Sequence, residues 1–230
     1  MTRTARPILA ALAALALAVT AIAATGCAEP RSLLVSRPTD HGADLAVTAL
    51  WAHEIHQVAR DGDWILTRSY VAIADVIVLG TRGEDLSHAS IYDASRDTVI
   101  EAVGSGVREI PLAALLERNH YAIVVRPGRM TAAAQAAALA RARAQVGTPF
   151  DYAGMIGFDD PDKFYCSELV YWVSDTAARH GLTKTVTTPA GLMAYGEVLY
   201  WSGERTDAQV MKIATARRAR PTTRARTAAR

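Results

Sequence analysis

The sequence predicts an α+β domain, and three observations carry the prediction. Two short alternating segments, residues 87–92 and 98–103, flank a turn-like Ala94-Ser95-Arg96-Asp97 and read as an antiparallel hairpin. Separate stretches with apolar residues at helical spacing lie on either side of it. Half of the residues are hydrophobic, enough for a real core, and no internal repeat is visible. Short antiparallel strands mixed with segregated helices are the pattern of an α+β fold.

The chain opens on a leader. Arg3 and Arg6 precede an apolar run over residues 8–24, which ends in Ala24-Thr25-Gly26-Cys27. A basic start, an apolar core and small residues before a cysteine make residues 1–26 a secretory signal. Small residues directly before Cys27 resemble a bacterial lipoprotein cleavage site, with Cys27 as the lipidated first residue. The run is short for a stable spanning helix. An ordinary signal peptide cut nearby and an uncleaved anchor are the alternatives. The expected location is the extracytoplasmic side of a cell membrane, held there through Cys27. Residues 27–43, with Pro30 and Pro38, read as a tether.

The remaining elements follow in order. Residues 44–60 place Leu45, Leu50, Trp51, Ile55 and Val58 at helical spacing, with Asp44 as a cap. Gly62-Asp63 breaks that helix, and residues 64–68 form a strand. Residues 70–79 are apolar and fit helix or strand equally; residues 80–85 are a loop. After the hairpin, Gly104-Ser105-Gly106 turns the chain into a third strand over residues 107–110. A short helix at 111–118 and a buried strand at 121–126 come next. Thr131 caps an alanine-rich helix that ends near Val146-Gly147. Residues 148–163 are an aspartate-containing loop. Residues 164–180 are one helix, ended by Gly181. Residues 195–201 and 208–214 read as late strands. The domain spans 44–214, and residues 215–230 are a basic, solvated tail.

Charge is unevenly distributed. Of the 25 Lys and Arg, two lie in the leader and six between residues 217 and 230, which leaves 17 in the body against 23 Asp and Glu. The body is formally −6 and the tail +6. An arginine run among Thr, Ala and Pro reads as disordered and solvated, with contact to anionic headgroups or wall polymers as its functional reading. Export argues against a nucleic-acid partner.

The chain has two cysteines. With Cys27 at the leader boundary, Cys166 is the free thiol of the mature chain. It lies in Phe164-Tyr165-Cys166-Ser167-Glu168-Leu169-Val170, where a loop becomes an apolar helix. Unpaired N–H groups and the helix dipole favour a thiolate at such a start. Cys166 reads either as a nucleophile or as a small buried hydrophobe. A disulfide to Cys27 is the third option, opposed by the leader.

A thiol nucleophile needs a base and an orienting group. Of the six histidines, His41 lies in the tether, His53 and His56 on a solvated helix face, His120 in a loop, and His180 at a helix end where it offsets the dipole. His88 alone lies inside a strand. If the hairpin loop is 94–97, paired residues sum to 191, so Ser90 faces Glu101. His88 and Glu101 then share a face two residues apart. A carboxylate there would fix the imidazole tautomer and favour the imidazolium. A core histidine and a surface glutamate are the alternative readings.

At this point the residues resemble a known family. Gly62-Asp63-Trp64-Ile65-Leu66, Leu86-Ser87-His88-Ala89-Ser90-Ile91-Tyr92, Val99-Ile100-Glu101-Ala102, Gly147-Thr148-Pro149-Phe150-Asp151-Tyr152 and Tyr165-Cys166-Ser167-Glu168-Leu169-Val170 are similar to the YiiX-like permuted papain family, within the NlpC-type cysteine hydrolases. The resemblance covers about residues 60–195, with the motifs in order. It implies a circularly permuted papain-like fold, an antiparallel sheet packed on helices, and a nucleophile at a helix N-terminus. The histidine precedes the cysteine, as permutation requires. Cys166 is implied as nucleophile, His88 as base, Glu101 as orienting carboxylate, and Tyr165 as a hydrogen-bonding residue that binds substrate. Ala89 departs from the valine common there. No metal or organic cofactor is implied. The implied activity is that of a thiol amidase or peptidase on an amide or wall-peptide bond. A lipid acyl hydrolase or acyltransferase of the lecithin:retinol acyltransferase type, and a non-catalytic binding module, are the alternatives. The implied partner is accordingly a peptide, amide or lipid substrate.

Overall fold

The computed structural model describes residues 30–81, 85–182 and 186–219. Among these, six strands form one sheet: β1 (Trp64–Ser69), β2 (His88–Asp93), β3 (Thr98–Val103), β4 (Gly106–Pro111), β5 (Asn119–Pro127) and β6 (Gly196–Trp201). Their order is β4-β3-β2-β1-β5-β6, and every neighbouring pair is antiparallel. The expected hairpin register holds: Ser90 pairs with Glu101 and Ile91 with Ile100.

Both faces of the sheet are covered. Central β1 is buried along its whole length, and its alternating side chains divide between two cores. Trp64 and Leu66 join Ala89, Ile91, Ile100, Leu169 and Val170. This core packs against α4 (Ala132–Ala144) and α5 (Cys166–Val173). Ile65 joins Tyr92, Val99 and Val124 on the other face. There α1 (His41–Val58), α3 (Leu112–Glu117) and α7 (Asp207–Ala219) close over the sheet. The remaining α-helices among the described residues are α2 (Ala72–Gly80) and α6 (Thr176–His180).

Several elements differ from the sequence reading, each for a local reason. The N-cap of α1 is Asp40, whose carboxylate accepts the Ala43 N–H at 2.9 Å. Asp44 is instead buried, bonded to Arg205 at 2.7 Å. The inward face of α1 is Val47, Trp51 and Ile55, while Leu45 and Val58 are exposed. Residues 30–40 are docked along the body and do not hang free. Ser32 donates its N–H to the Tyr70 carbonyl at 2.7 Å, and Ala72 donates to the Pro30 carbonyl at 2.8 Å. The ambiguous apolar stretch is helix α2. His120 lies in β5 and is buried, with its Nδ1 3.4 Å from the Tyr70 hydroxyl.

The helix expected over residues 164–180 is two helices. Asp175 adopts a left-handed conformation (φ 50°, ψ 35°) that stops α5 and starts α6. Arg141 Nε donates to the freed Val173 carbonyl at 2.9 Å, and Arg179 Nε to the Ser174 carbonyl at 3.0 Å. These bonds supply partners that continued helix would otherwise provide. Gly181, at φ 67°, ends α6 as expected. Residues 208–214, read as a strand, belong to helix α7. The Thr206 hydroxyl accepts the Gln209 N–H at 3.2 Å and Asp207 lies in the first turn, a helix-start signal. The same helix extends to Ala219, past the expected start of the tail at 215. The remainder of that tail, residues 220–230, and the leader with Cys27 lie outside the described residues. No described helix is long and apolar enough to cross a membrane.

Candidate active site

The site forms where the start of α5 meets strands β2 and β3. Tyr165 has extended backbone (φ −94°, ψ 168°) and Cys166 is the first helical residue. Glu168 accepts the Tyr165 N–H at 3.4 Å, which reaches back over an otherwise unpaired donor. Cys166 is thereby held at the dipole-positive end of α5, almost completely buried and free of any disulfide.

His88 begins β2 and Glu101 lies in β3. His88 Nε2 is 2.7 Å from Glu101 Oε2, the diagonal contact expected two residues along from the Ser90–Glu101 pair. With Nε2 engaged, Nδ1 is the nitrogen left for the thiol, and His88 and Cys166 lie close enough for each to shift the other's pKa.

The electrostatics agree with a charged pair. Burial alone would lower the His88 pKa. Hydrogen bonds to Cys166 and Glu101, together with their negative charge, outweigh it and raise His88 to about 9. Burial likewise pushes the Cys166 thiol up. The His88 hydrogen bond and charge outweigh it and bring the thiol below its ordinary value, helped by the N–H groups of Ala89 and Ser167. Glu101 is fully buried, which would raise its pKa. His88, Arg118 and Arg108 instead hold it down at about 2. The three side chains lie in contact in the order Cys166, His88, Glu101, and each shift has its neighbour among its causes.

The sequence reading missed the two arginines. Arg108 Nε donates to Glu101 Oε1 at 2.9 Å, and Arg118 donates to Oε2, the same oxygen that His88 uses. Arg108 was within reach of the sequence: Gly104-Ser105 turns β3 into β4 and sets Glu101 opposite Arg108. Arg118 follows α3, and no local pattern brings it to β3.

Tyr165 directly precedes Cys166 and is buried. Its hydroxyl accepts the Thr187 N–H at 3.0 Å, and Ser167 Oγ donates to the Thr187 carbonyl at 2.6 Å. These two bonds clamp the chain at Thr187 against the start of α5. His41, His53 and His56 are exposed, and His180 stacks edge-on against Tyr195 with centroids 5.0 Å apart.

Among the described residues, the carboxylates of Asp151, Asp159 and Glu168 offer oxygens within 4.8 Å of one another. Such a set is of the hard-oxygen type that suits Ca²⁺ or Mg²⁺. The two Asp151 oxygens already accept the N–H groups of Gly154 at 2.8 Å and Asp160 at 3.1 Å. The group thus fastens the 151–160 loop beside α5.

Comparison with known proteins gives a family and a solved structure. The model of the permuted papain-like amidase family, YaeF/YiiX, C92, matches residues 58–197, a segment that contains His88, Glu101 and Cys166. The crystal structure of the metalloprotein yiiX from Escherichia coli O157:H7 is similar at 22% identity and a TM-score of 0.49, covering 61% of this chain and 96% of that one. No curated protein matches the chain.

Proposed function

The chain belongs to the permuted papain-like amidase family, and from that premise we propose that it cleaves an amide or wall-peptide bond through Cys166, His88 and Glu101. Membership makes it an amidase- or peptidase-type enzyme at the level of the family. The observation that carries the finer reading is the buried His88–Glu101 hydrogen bond set beside buried Cys166 at the start of α5, with His88 and Cys166 shifting each other's pKa.

In the proposed reaction the Cys166 thiolate attacks the carbonyl carbon, and the π electrons move to the oxygen. The N–H of Cys166, at the helix start, helps to hold that oxyanion. His88 Nδ1 gives its proton to the departing amine, the C–N bond breaks, and a thioester remains on Cys166. His88, now neutral, takes a proton from water, which attacks the thioester. Collapse releases the carboxylic acid and restores the thiolate–imidazolium pair. Glu101 keeps Nε2 protonated and Nδ1 facing the sulfur throughout. No step runs through a metal; the word metalloprotein describes the solved relative.

Export and anchoring through a lipidated Cys27 complete the proposal and place the reaction on the extracytoplasmic side of the membrane. They are supported by the basic-then-apolar leader that ends in Ala24-Thr25-Gly26-Cys27.

A lipid acyl ester is the second reading, favoured by one observation. The loop whose Gly154 sits against the Tyr165 ring also presents Ile156 and Phe158 to solvent. The full-length protein should be incubated separately with wall peptide fragments and with phospholipid, and the products identified by mass spectrometry. Amine release from the peptide that falls about 10²–10⁴-fold in His88→Ala and is lost in Cys166→Ala supports the proposal. Fatty acid release alone supports the lipid reading. Turnover of neither substrate leaves a binding module.

A further inference from the structure

The chain enters the described body at Pro30, and the surface around that point is aliphatic. The Pro30 carbonyl accepts the Ala72 N–H at 2.8 Å, and residues 31 and 71 form a β-bridge. Ser32 Oγ and the Leu33 N–H bind the two oxygens of Asp75 at 2.6 and 2.7 Å. The entering strap is therefore fixed along α2. Beside it Leu33 is 94% exposed and Leu34 55%. On α2 itself Ile73, Val76 and Leu79, spaced by three on one face, point outward, with Leu79 71% exposed. Asp75, the acid on this helix, is buried and bonded to Arg68. A helix with its aliphatic row outside and its carboxylate inside inverts the usual arrangement at a water-facing surface.

We infer that the face made by Leu33, Leu34, Ile73, Val76 and Leu79 rests in the interfacial layer of a phospholipid bilayer and orients the catalytic domain on it. The reach of the chain argues for this occupant. Cys27 lies three residues before Pro30, and three extended residues span at most roughly 10–11 Å. An acylated Cys27 in the bilayer brings Pro30, and the aliphatic face around it, against the headgroups. Insertion of such a face by about 5–10 Å is the ordinary depth for an interfacial helix. Exposed Arg31 lies at the same point of entry and suits anionic headgroups. The inference rests on the proposed anchoring for its reach argument, while the exposed aliphatic face is independent of it.

Photo-cross-linking of the full chain in its own membranes tests it. Benzoylphenylalanine is placed at position 33 or 79, and at exposed Val146, which follows α4, as the control. After irradiation the adducts are identified by mass spectrometry. Phospholipid adducts at 33 and 79 but not at 146 are expected. Adducts to protein at 33 and 79 overturn the inference in favour of a partner or a second copy. Membrane-bound protein without lipid adducts at 33 and 79 overturns it and leaves the Cys27 anchor standing. Protein found free of membranes removes the anchor. In that case, lipid adducts at 33 and 79 after addition of phosphatidylethanolamine–phosphatidylglycerol vesicles uphold the bilayer face alone, and their absence overturns both.

Discussion

Three cations converge on the one buried carboxylate of Glu101: His88, Arg108 and Arg118. Its pKa is depressed from the ordinary 4.5 to about 2. The stability it supplies is therefore complete above about pH 4.5 and is lost as pH falls through about 2. His88 is raised from 6.5 to about 9. Its contribution is complete below about 6.5 and is lost as pH rises through about 9. Hydrolysis should accordingly fall on the alkaline side with a limb near pH 9, where the imidazolium loses its proton. Arg118 shares Glu101 Oε2 with His88, so it competes for the carboxylate and repels the imidazolium. In Arg118→Gln the alkaline limb of kcat/KM should move above its wild-type position. An unmoved limb with a lowered Tm would mark Arg118 as structural only. Glu101→Gln should lower kcat/KM at least about tenfold, the effect of one pKa unit on the pair. Because Glu101 also joins two arginines, this variant should lose Tm as well. Full activity there would send the orienting role elsewhere. At this scale the sequence was readable where parity decides. An even-length turn sets His88 and Glu101 on one face whatever the exact loop, whereas Arg118 arrives through tertiary packing of α3.

The start of α5 is the element on which the proposed chemistry depends, and the sequence pointed to it through a loop that meets an apolar run. Its end was not legible, because Asp175 in the left-handed region and the arginines that capture the Val173 and Ser174 carbonyls come from outside the helix. Helix α7 was missed for a different reason. A short apolar segment is ambiguous between helix and strand, and the Thr206 cap was the signal to weigh. The approach of β1 to α4 was carried by Gly62-Asp63. Gly62 has φ +81°, and a Cβ there would lie 2.6 Å from the Gln135 carbonyl oxygen of α4. Asp63 is buried and bonded to Gln135 at 2.8 Å and to Arg126 at 2.8 Å. Gly62→Ala should cost more than about 1 kcal/mol, since both the conformation and the space exclude a side chain. Gly80→Ala, where nothing lies within 4 Å, should be neutral or mildly stabilising. Denaturant midpoints compare them, and equal stability of the two variants would contradict the close docking of Gly62 on α4.

Over the whole molecule, the fold is the permuted papain-like one, with helices on both faces of a six-stranded antiparallel sheet. The histidine strand precedes the cysteine helix in the chain, yet the sheet brings the two together beside β3. That order, and the antiparallel hairpin, were legible from the motifs. The docking of residues 30–40 was not, since a segment with two prolines and few apolar residues reads as a linker until its backbone finds partners in Tyr70 and Ala72. The central claim is that this architecture stores a thiolate–imidazolium pair at Cys166 and His88. The rate of Cys166 alkylation by iodoacetamide, followed against pH by mass spectrometry in wild type and His88→Ala, tests it most directly. The wild-type rate should titrate well below the ordinary thiol value of about 8.5, and His88→Ala should return it there or higher. A wild-type thiol that titrates near 8.5 and is unchanged by the substitution would contradict the account.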